Sequence, residues 1–253
     1  MGLSILALGP IAFSLLSTCL KFTVIVTIMS GMDSNIVGLL ISFPFLALVI
    51  ALALALKRWC AISDESMRKF IHIGVSNWWF LELRYFTTMG WALVGPILFI
   101  ILNSLFTFLD WGTALGMGDR KRNYGLIYFP VTLVILVLLQ YNGLVRPLAS
   151  TVGVLVMGYG DGLAALVGSK WGKREIPFNV SKKSYLGTLT MFTVSLAIVL
   201  VALLFFSDLP LGMVIVSAAV IAAISAVVEV LTPFGLDNLT VPLLVTLLIE
   251  VLV

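Results

Sequence analysis

The sequence predicts an all-α fold, a polytopic transmembrane helical bundle with about nine spans. Hydrophobic residues make up 61% of the 253 residues and charged residues only 11%, less than half the roughly 25% of a soluble domain. Apolar runs of about bilayer length recur along the chain, without the period-two alternation of a barrel. This composition excludes a soluble globular enzyme, a disordered chain and a soluble nucleic-acid-binding protein.

The first three apolar segments are predicted at residues 3–29, 36–56 and 66–83. A lipid-exposed backbone must satisfy its own hydrogen bonds, so each segment is expected to be a helix. The amino terminus lacks the basic region of a cleaved signal peptide, and segment one is therefore interpreted as the first span. Segment three is the least regular, because cations and a histidine lie at one end and Glu82 and Arg84 at the other.

Segments four to six are predicted at residues 89–109, 124–141 and 147–168. The fourth and fifth are mainly apolar, and short polar stretches separate them from their neighbours. The sixth is rich in small residues and contains one acid, Asp161. The polar stretch that follows it is the longest in the chain, and such a loop in a compact protein is more often functional than average.

Segments seven to nine are predicted at residues 185–206, 211–231 and 238–253. The eighth contains Glu229 in an otherwise apolar run, and the ninth is short. With no soluble second domain and no obvious internal repeat, residues 1–253 are interpreted as a single integral membrane domain.

The basic residues predict the orientation of this bundle. Nine alternating spans place twelve of the 15 Lys and Arg residues on one side, and leave only Arg84 and Arg146 on the other. The positive-inside rule then places the amino terminus in the cytoplasm and the carboxyl terminus outside. The net charge of +3 is small and gives no reason to expect a nucleic-acid partner.

Ionisable groups at or within a membrane are costly, so each is a candidate functional group. Arg68, Lys69 and His72 are three and four residues apart and share one helical face. They suit contact with phosphate, or else they anchor the helix at the interface. Asp161 lies in a Gly-rich run and needs a partner, for which a magnesium ion bridging to phosphate oxygens would serve. The glycines around it also suit close helix packing.

The remaining candidates lie in the later loops. Gly172, Lys173, Lys183 and Ser184 combine cations, hydroxyls and a helix start, which suits phosphate binding, although positive-inside topology also calls for basic residues here. There is no P-loop pattern. Glu229 and Asp237, together with Asp161, would hold a divalent cation; Asp237 alone would also suit a helix N-cap.

These clusters all lie toward the predicted cytoplasmic face. Acids for a metal and cations for phosphates would meet there, at the edge of the membrane, where a soluble nucleotide can reach a lipid. Phosphoryl or nucleotidyl transfer to a lipid is the chemistry that this arrangement suits. The alternative is a transporter, for which acids at the midplane and inverted repeats would be expected.

The order of these motifs resembles the dolichol kinase and phytol kinase family, which includes the CTP-dependent diacylglycerol kinases of fungi. The resemblance covers about residues 66–245, while residues 1–60 carry no matched motif. It rests on the following elements: Arg68-Lys69-x-x-His72, Tyr124-Gly125-x-x-Tyr128-Phe129-Pro130, Gly160-Asp161-x-x-Ala164 through Gly168 and Gly172-Lys173, Lys183-Ser184-x-x-Gly187, and Glu229 followed by Asp237-Asn238-x-x-Val241-Pro242.

The resemblance implies a multi-pass membrane enzyme, with its site facing the cytoplasm, that phosphorylates a lipid alcohol with CTP and a divalent metal such as Mg²⁺. The acceptor would be phytol, geranylgeraniol, dolichol, another polyprenol or diacylglycerol. The implied catalytic residues are Asp161, Lys183 and His72, the last as a general base or a phosphate contact. The implied metal ligands are Asp161, Glu229 and Asp237. The implied nucleotide or phosphate contacts are Arg68, Lys69, Gly160, Gly162, Gly168, Gly172, Lys173, Lys182, Ser184 and Gly187.

The CDP-diacylglycerol synthases are a competing resemblance. They share the Asp-x-x-Ala run, and Ser181 to Gly187 partly fits their Ser-x-Lys-x-x-x-Gly loop. Their long carboxyl-terminal signature, rich in Lys, Asp, His, Gly and Arg, is missing here. No basic residue follows Lys183, and the chain's one histidine is His72. This departure favours a kinase over a cytidylyltransferase.

Overall fold

The structure is a computed structural model that describes residues 31–60, 62–108, 120–177 and 183–253, with the backbone alone for 120–123. These residues are almost entirely helical, as the sequence predicts. The helices are α1 (Ser34–Cys60), α2 (Asp64–Ser76), α3 (Trp78–Tyr85), α4 (Met89–Phe108), α5 (Arg120–Tyr141), α6 (Pro147–Leu155), a π-helical segment (Val156–Asp161), α7 (Gly162–Trp171), α8 (Tyr185–Phe206), α9 (Leu211–Leu231) and α10 (Asp237–Leu252).

Six stretches of the described chain are long and apolar enough to cross a membrane. They are α1, α4, the part of α5 from Tyr124 onward, α8, α9, and the continuous run that α6, the π-helical segment and α7 form together. Large apolar side chains such as Phe205, Val216 and Leu231 are exposed on their outer faces, as expected of a surface in contact with lipid. The predicted first segment, 3–29, lies outside the described residues.

The predicted third segment, 66–83, is not one continuous helix. Two short helices, α2 and α3, take its place and meet at Asn77, where the Asn77 side-chain amide donates to the carbonyl of Ile73. The Asn77 backbone N–H bonds to Gly74, a tighter turn than the α-helical one. An Asn side chain that competes for backbone groups in this way favours a break in a helix. Neither α2 nor α3 alone reaches the length of a span.

Two apolar cores hold the helices together. One core gathers side chains from α6, α8, α9 and α10, including Met191, Leu203 and Ile249. The other packs Trp78 and Trp79 of the α2–α3 region against α4, α5 and the segment around Met157. The run from α6 to α7 contributes to both cores, so it forms the central element of the bundle.

The middle of this central run is the π-helical segment Val156–Asp161. Its small residues let neighbouring helices approach closely. A side chain at Gly158 would collide with Ser76 of α2, and a Cβ at Gly160 would lie 2.7 Å from the sulfur of Met191 in α8. The segment ends at Asp161, and the wide π turn thus sets the direction in which that acid points.

Candidate active site

One end of the bundle contains a cavity of about 630 Å³. Six of the helices (α2, α5, α7, α8, α9 and α10), the π-helical segment and the loops before α8 and α10 contribute to its walls. Its charged lining residues are Glu65, Arg68, Lys69, Asp161, Glu175, Lys183, Glu229 and Asp237. So many charges around one cavity, in a chain with only 11% charged residues, mark it as the candidate functional site.

Asp161 lies in the interior wall of this cavity and is 4% exposed. Lys69 of α2 donates to its Oδ2 at 2.5 Å. The Nε2 atom of His72, one turn along the same helix, lies 3.9 Å from the same oxygen. The spacing of Lys69 and His72 on one face of α2 thus brings both side chains to a single carboxylate that is distant in sequence.

Two further acids face Asp161. Glu229 lies near the end of α9 and Asp237 at the start of α10, and both are buried. Each of the three residues offers a carboxylate oxygen within 4.8 Å of the other two. The turn between α9 and α10 contains Phe234 and Gly235, both with positive φ. A Cβ at Gly235 would lie 2.6 Å from the Cα of Gly125 in α5, so this turn requires glycine.

Lys183 balances these acids. Its Nζ lies 2.6 Å from Glu229 Oε1, donates to Asp237 Oδ2 at 2.7 Å and donates to the Glu229 carbonyl oxygen at 2.5 Å. Burial alone would lower the pKa of Lys183, but the carboxylates of Asp237 and Glu229 raise it above its ordinary value. The side chain is therefore a charged ammonium, placed among oxygen ligands.

Within the part of the chain that the structure describes, four atoms of cavity-lining residues have no hydrogen-bond partner: His72 Nε2, Thr188 Oγ1, Glu229 Oε2 and Asn238 Oδ1. Burial, together with the charge of Lys69, lowers the pKa of His72 to about 4, so the imidazole is neutral near pH 7. Its ring packs against Phe129 with the centroids 4.7 Å apart. Buried polar atoms without partners are costly, and several of them around one cavity indicate a polar ligand.

The predicted phosphate contacts divide into those near the cavity and those away from it. Arg68, Lys69, Gly168, Gly172, Lys183, Ser184 and Gly187 line the cavity. Ser184 caps α8, where its hydroxyl accepts from the N–H of Gly187 at 3.1 Å. Gly160 and Gly162 instead face Met191 and Ile73 of neighbouring helices, and Lys173 is exposed outside the lining. Lys182 lies outside the described residues.

Sequence reasoning did not assign the polar residues Thr188 and Asn238 to the site. Asn238 follows Asp237 in a motif that the family resemblance rests on, and this was the signal that could have identified it. Its amide nitrogen donates to the Gly235 carbonyl at 3.0 Å, which ties the residue to the α9–α10 turn. Thr188 lies one turn into α8 and gave no sequence signal.

Comparison with known proteins gives several relatives of one kind. The chain is 32% identical over 210 residues to the phytol kinase of Synechocystis sp., a match that covers 79% of this chain and 84% of that protein. It is 30% identical to "Probable phytol kinase 2, chloroplastic" of Glycine max, over 72% of this chain and 63% of that one. For "Probable phytol kinase, chloroplastic" of Zea mays the identity is 29%, with 72% and 65% covered. No family model and no solved structure matches.

Proposed function

This chain belongs to the phytol kinase family and is a kinase that acts on an alcohol group, and we propose that it transfers the γ-phosphate of CTP to a polyisoprenoid alcohol such as phytol or geranylgeraniol. The observation that carries the proposal is the cavity of about 630 Å³ in which three buried carboxylates meet two lysines. Charges of both signs at the end of a bundle of apolar helices suit a nucleotide that meets a lipid.

Asp161, Glu229 and Asp237 would hold a magnesium ion. The fit rests on chemistry: all three donors are carboxylates, which a hard cation such as Mg²⁺ prefers, and Glu229 Oε2 has no hydrogen-bond partner in the described ranges of the chain. When bound, the ion would neutralise charge on the phosphate oxygens. Lys69 and Arg68 bind the phosphates from α2, and Lys183 binds them from the loop before α8.

His72 is the general base in this proposal. Its imidazole is neutral, and its Nε2 lies unpartnered at the cavity wall. Nε2 takes the proton from the lipid hydroxyl as the hydroxyl oxygen bonds to the γ-phosphorus. The bond between that phosphorus and the β–γ bridging oxygen breaks, and the nucleoside diphosphate leaves with the electron pair. Catalysis is otherwise positioning and charge neutralisation.

The proposal includes the orientation predicted from the sequence: about nine spans, an amino terminus in the cytoplasm, and a site that opens to the cytoplasm. Its support is the placement of the cations. Arg68, Lys69 and Lys183 are at the cavity end of the bundle. Arg146 starts α6 at the other end, where it pairs with Glu250 near the end of α10. A positive-inside protein concentrates its cations on the cytoplasmic face.

The test is a radiolabel assay on the purified full chain that crosses a panel of nucleotides with a panel of lipid alcohols. Label from the γ-position of CTP is expected in phytyl or geranylgeranyl phosphate, and Asp161→Asn is expected to remove most of it. Asp208→Asn is the matched control, because Asp208 is exposed in the turn between α8 and α9. Cytidine label in the lipid would instead indicate a cytidylyltransferase. Full activity in Asp161→Asn would refute the proposed site.

A further inference from the structure

The ammonium of Lys183 lies where a metal ion would bind. Its contacts with Glu229 Oε1 at 2.6 Å and Asp237 Oδ2 at 2.7 Å involve the same carboxylate groups that form the triad with Asp161. A magnesium ion needs oxygen ligands at about 2.1 Å and uses the lone pairs that these hydrogen bonds occupy. The ammonium and the metal therefore compete for the same oxygens.

We propose that Lys183 is a built-in counter-ion that blocks the acidic triad until nucleotide arrives, so that metal and nucleotide bind together rather than in either order. The proposal rests on the proposed nucleotide chemistry of this cavity and adds the control of its metal site. Nucleotide phosphates attract the ammonium away from Glu229 and Asp237, and the vacated oxygens then accept the metal that the phosphates bring.

The charge balance of the site favours this coupling. The site combines three negative carboxylates with two positive ammoniums, those of Lys69 and Lys183, so these five groups carry a net charge of −1. A divalent cation added alone would face both ammoniums at close range, in a buried site where charges interact strongly. The same cation added with a polyphosphate brings enough negative charge to bind both lysines. Binding of each ligand thus favours binding of the other, with equal coupling in both directions.

The backbone around Lys183 is held in place while its side chain can move. Its carbonyl accepts from the N–H of Ile176 at 2.8 Å, and the N–H of Tyr185, two residues on, donates to the carbonyl of Arg174 at 3.2 Å. The side chain has four carbons and a compact charge, which lets the ammonium change partners without a change of fold. The adjoining cavity of about 630 Å³ provides room for that movement.

A second observation shows that the triad has unused capacity for a cation. Glu229 is 4% exposed, and its Oε2 has no hydrogen-bond partner among the described residues, although Oε1 faces Lys183. An acceptor that is buried and unpaired carries an energetic cost that a bound ion would remove. Lys183 thus neutralises the triad only in part, which leaves the site ready for exchange.

The test measures the binding of Mn²⁺, as a probe for the divalent site, to purified full chain in detergent by electron paramagnetic resonance. The wild-type protein is expected to bind Mn²⁺ weakly alone and at least tenfold more tightly with a non-hydrolysable CTP analogue. Lys183→Met is expected to bind Mn²⁺ without nucleotide about tenfold or more tightly than wild type, because the competing charge is gone. The gain from nucleotide should shrink in the variant.

Lys57→Met is the matched control, because Lys57 also pairs with an acid, Asp64, but lies outside the cavity lining. It should leave Mn²⁺ binding unchanged. Lys183→Gln, which keeps a hydrogen-bond donor on a slightly shorter side chain without the charge, provides a second test if Lys183→Met fails to fold. Unchanged or weaker Mn²⁺ binding in a folded Lys183 variant would overturn the exchange. Since Mn²⁺ is detected directly, a lack of phosphoryl transfer would count against the proposed function alone.

Discussion

Replacement of Lys69 by Met tests whether the buried ion pair in the cavity wall stabilises the bundle. Lys69 Nζ lies 2.5 Å from Asp161 Oδ2, and the two side chains are 14% and 6% exposed. Removal of one partner from a buried pair costs about 3–5 kcal/mol, since a buried charge loses its counter-ion. Lys183 still neutralises Asp161 in part, so we expect Lys69→Met to lower the free energy of unfolding by about 3 kcal/mol.

Replacement of the acidic partner should lower the free energy of unfolding by less. In Asp161→Asn the remaining Lys69 can extend its ammonium toward headgroups or water, so the expected loss is about 1–2 kcal/mol. The double variant removes both charges and should cost about as much as Asp161→Asn alone. The two substitutions are therefore expected to show a coupling energy of about 3 kcal/mol.

The assay is reversible unfolding in mixed micelles with increasing sodium dodecyl sulfate, followed by the fluorescence of the chain's six tryptophans. Lys173→Met is the control, because Lys173 is exposed and lies outside the cavity lining, and its effect should stay within about 0.5 kcal/mol. If the losses in the two single variants add up to the loss in the double variant within about 0.5 kcal/mol, the pair contributes no specific stabilisation.

Two further predictions concern packing and pH. Gly172→Ala should lower the free energy of unfolding by about 1–3 kcal/mol, because the new Cβ would collide with the Gly168 carbonyl and Ser184. Gly212→Ala is the control, because a Cβ there would meet open space. Equal Tm values for the two variants would contradict the close packing at Gly172. Burial raises the pKa of Glu82 from 4.5 to about 7, so the folded state holds this proton more tightly and stability should fall as pH rises from about 4.5 to about 7 and then level off. Glu82→Gln should remove the part of this slope that Glu82 contributes and be more stable than wild type by on the order of 2 kcal/mol at pH 8, as measured by thermal unfolding across pH; an unchanged slope would refute the assignment.

The groups that gather at the cavity could be predicted largely because charge is so rare in this chain. Asp161, Glu229 and Asp237 stood out as acids in or beside apolar runs, where an unpaired carboxylate is costly. The structure brings all three within 4.8 Å. The pairing of Lys69 with Asp161 spans 92 positions along the chain and could not be predicted, because it depends on how two helices pack.

Glycines were the least informative residues for predicting which groups lie at the cavity. A glycine next to a phosphate and a glycine under a neighbouring helix look alike in sequence, since both serve close approach. Gly168 and Gly172 line the cavity and also pack closely against Ser184, whereas Gly160 and Gly162 face Met191 and Ile73. The break between α2 and α3 was equally hidden, because it accompanies local hydrogen bonds from Ser76 and Asn77 to the Ile73 carbonyl that the sequence pattern does not reveal.

The π-helical segment Val156–Asp161 constrains how this protein can change length during evolution. Its wide turn already takes up one residue more than an ordinary α-helical turn, whereas a deletion of one residue from α6, which leads into it, would rotate the segment by roughly 100°. Asp161 would then turn away from Glu229 and Asp237, although every amino acid of the site would still be present. Gaps between this chain and relatives that share its chemistry should therefore fall in the connecting loops and avoid Pro147–Leu155.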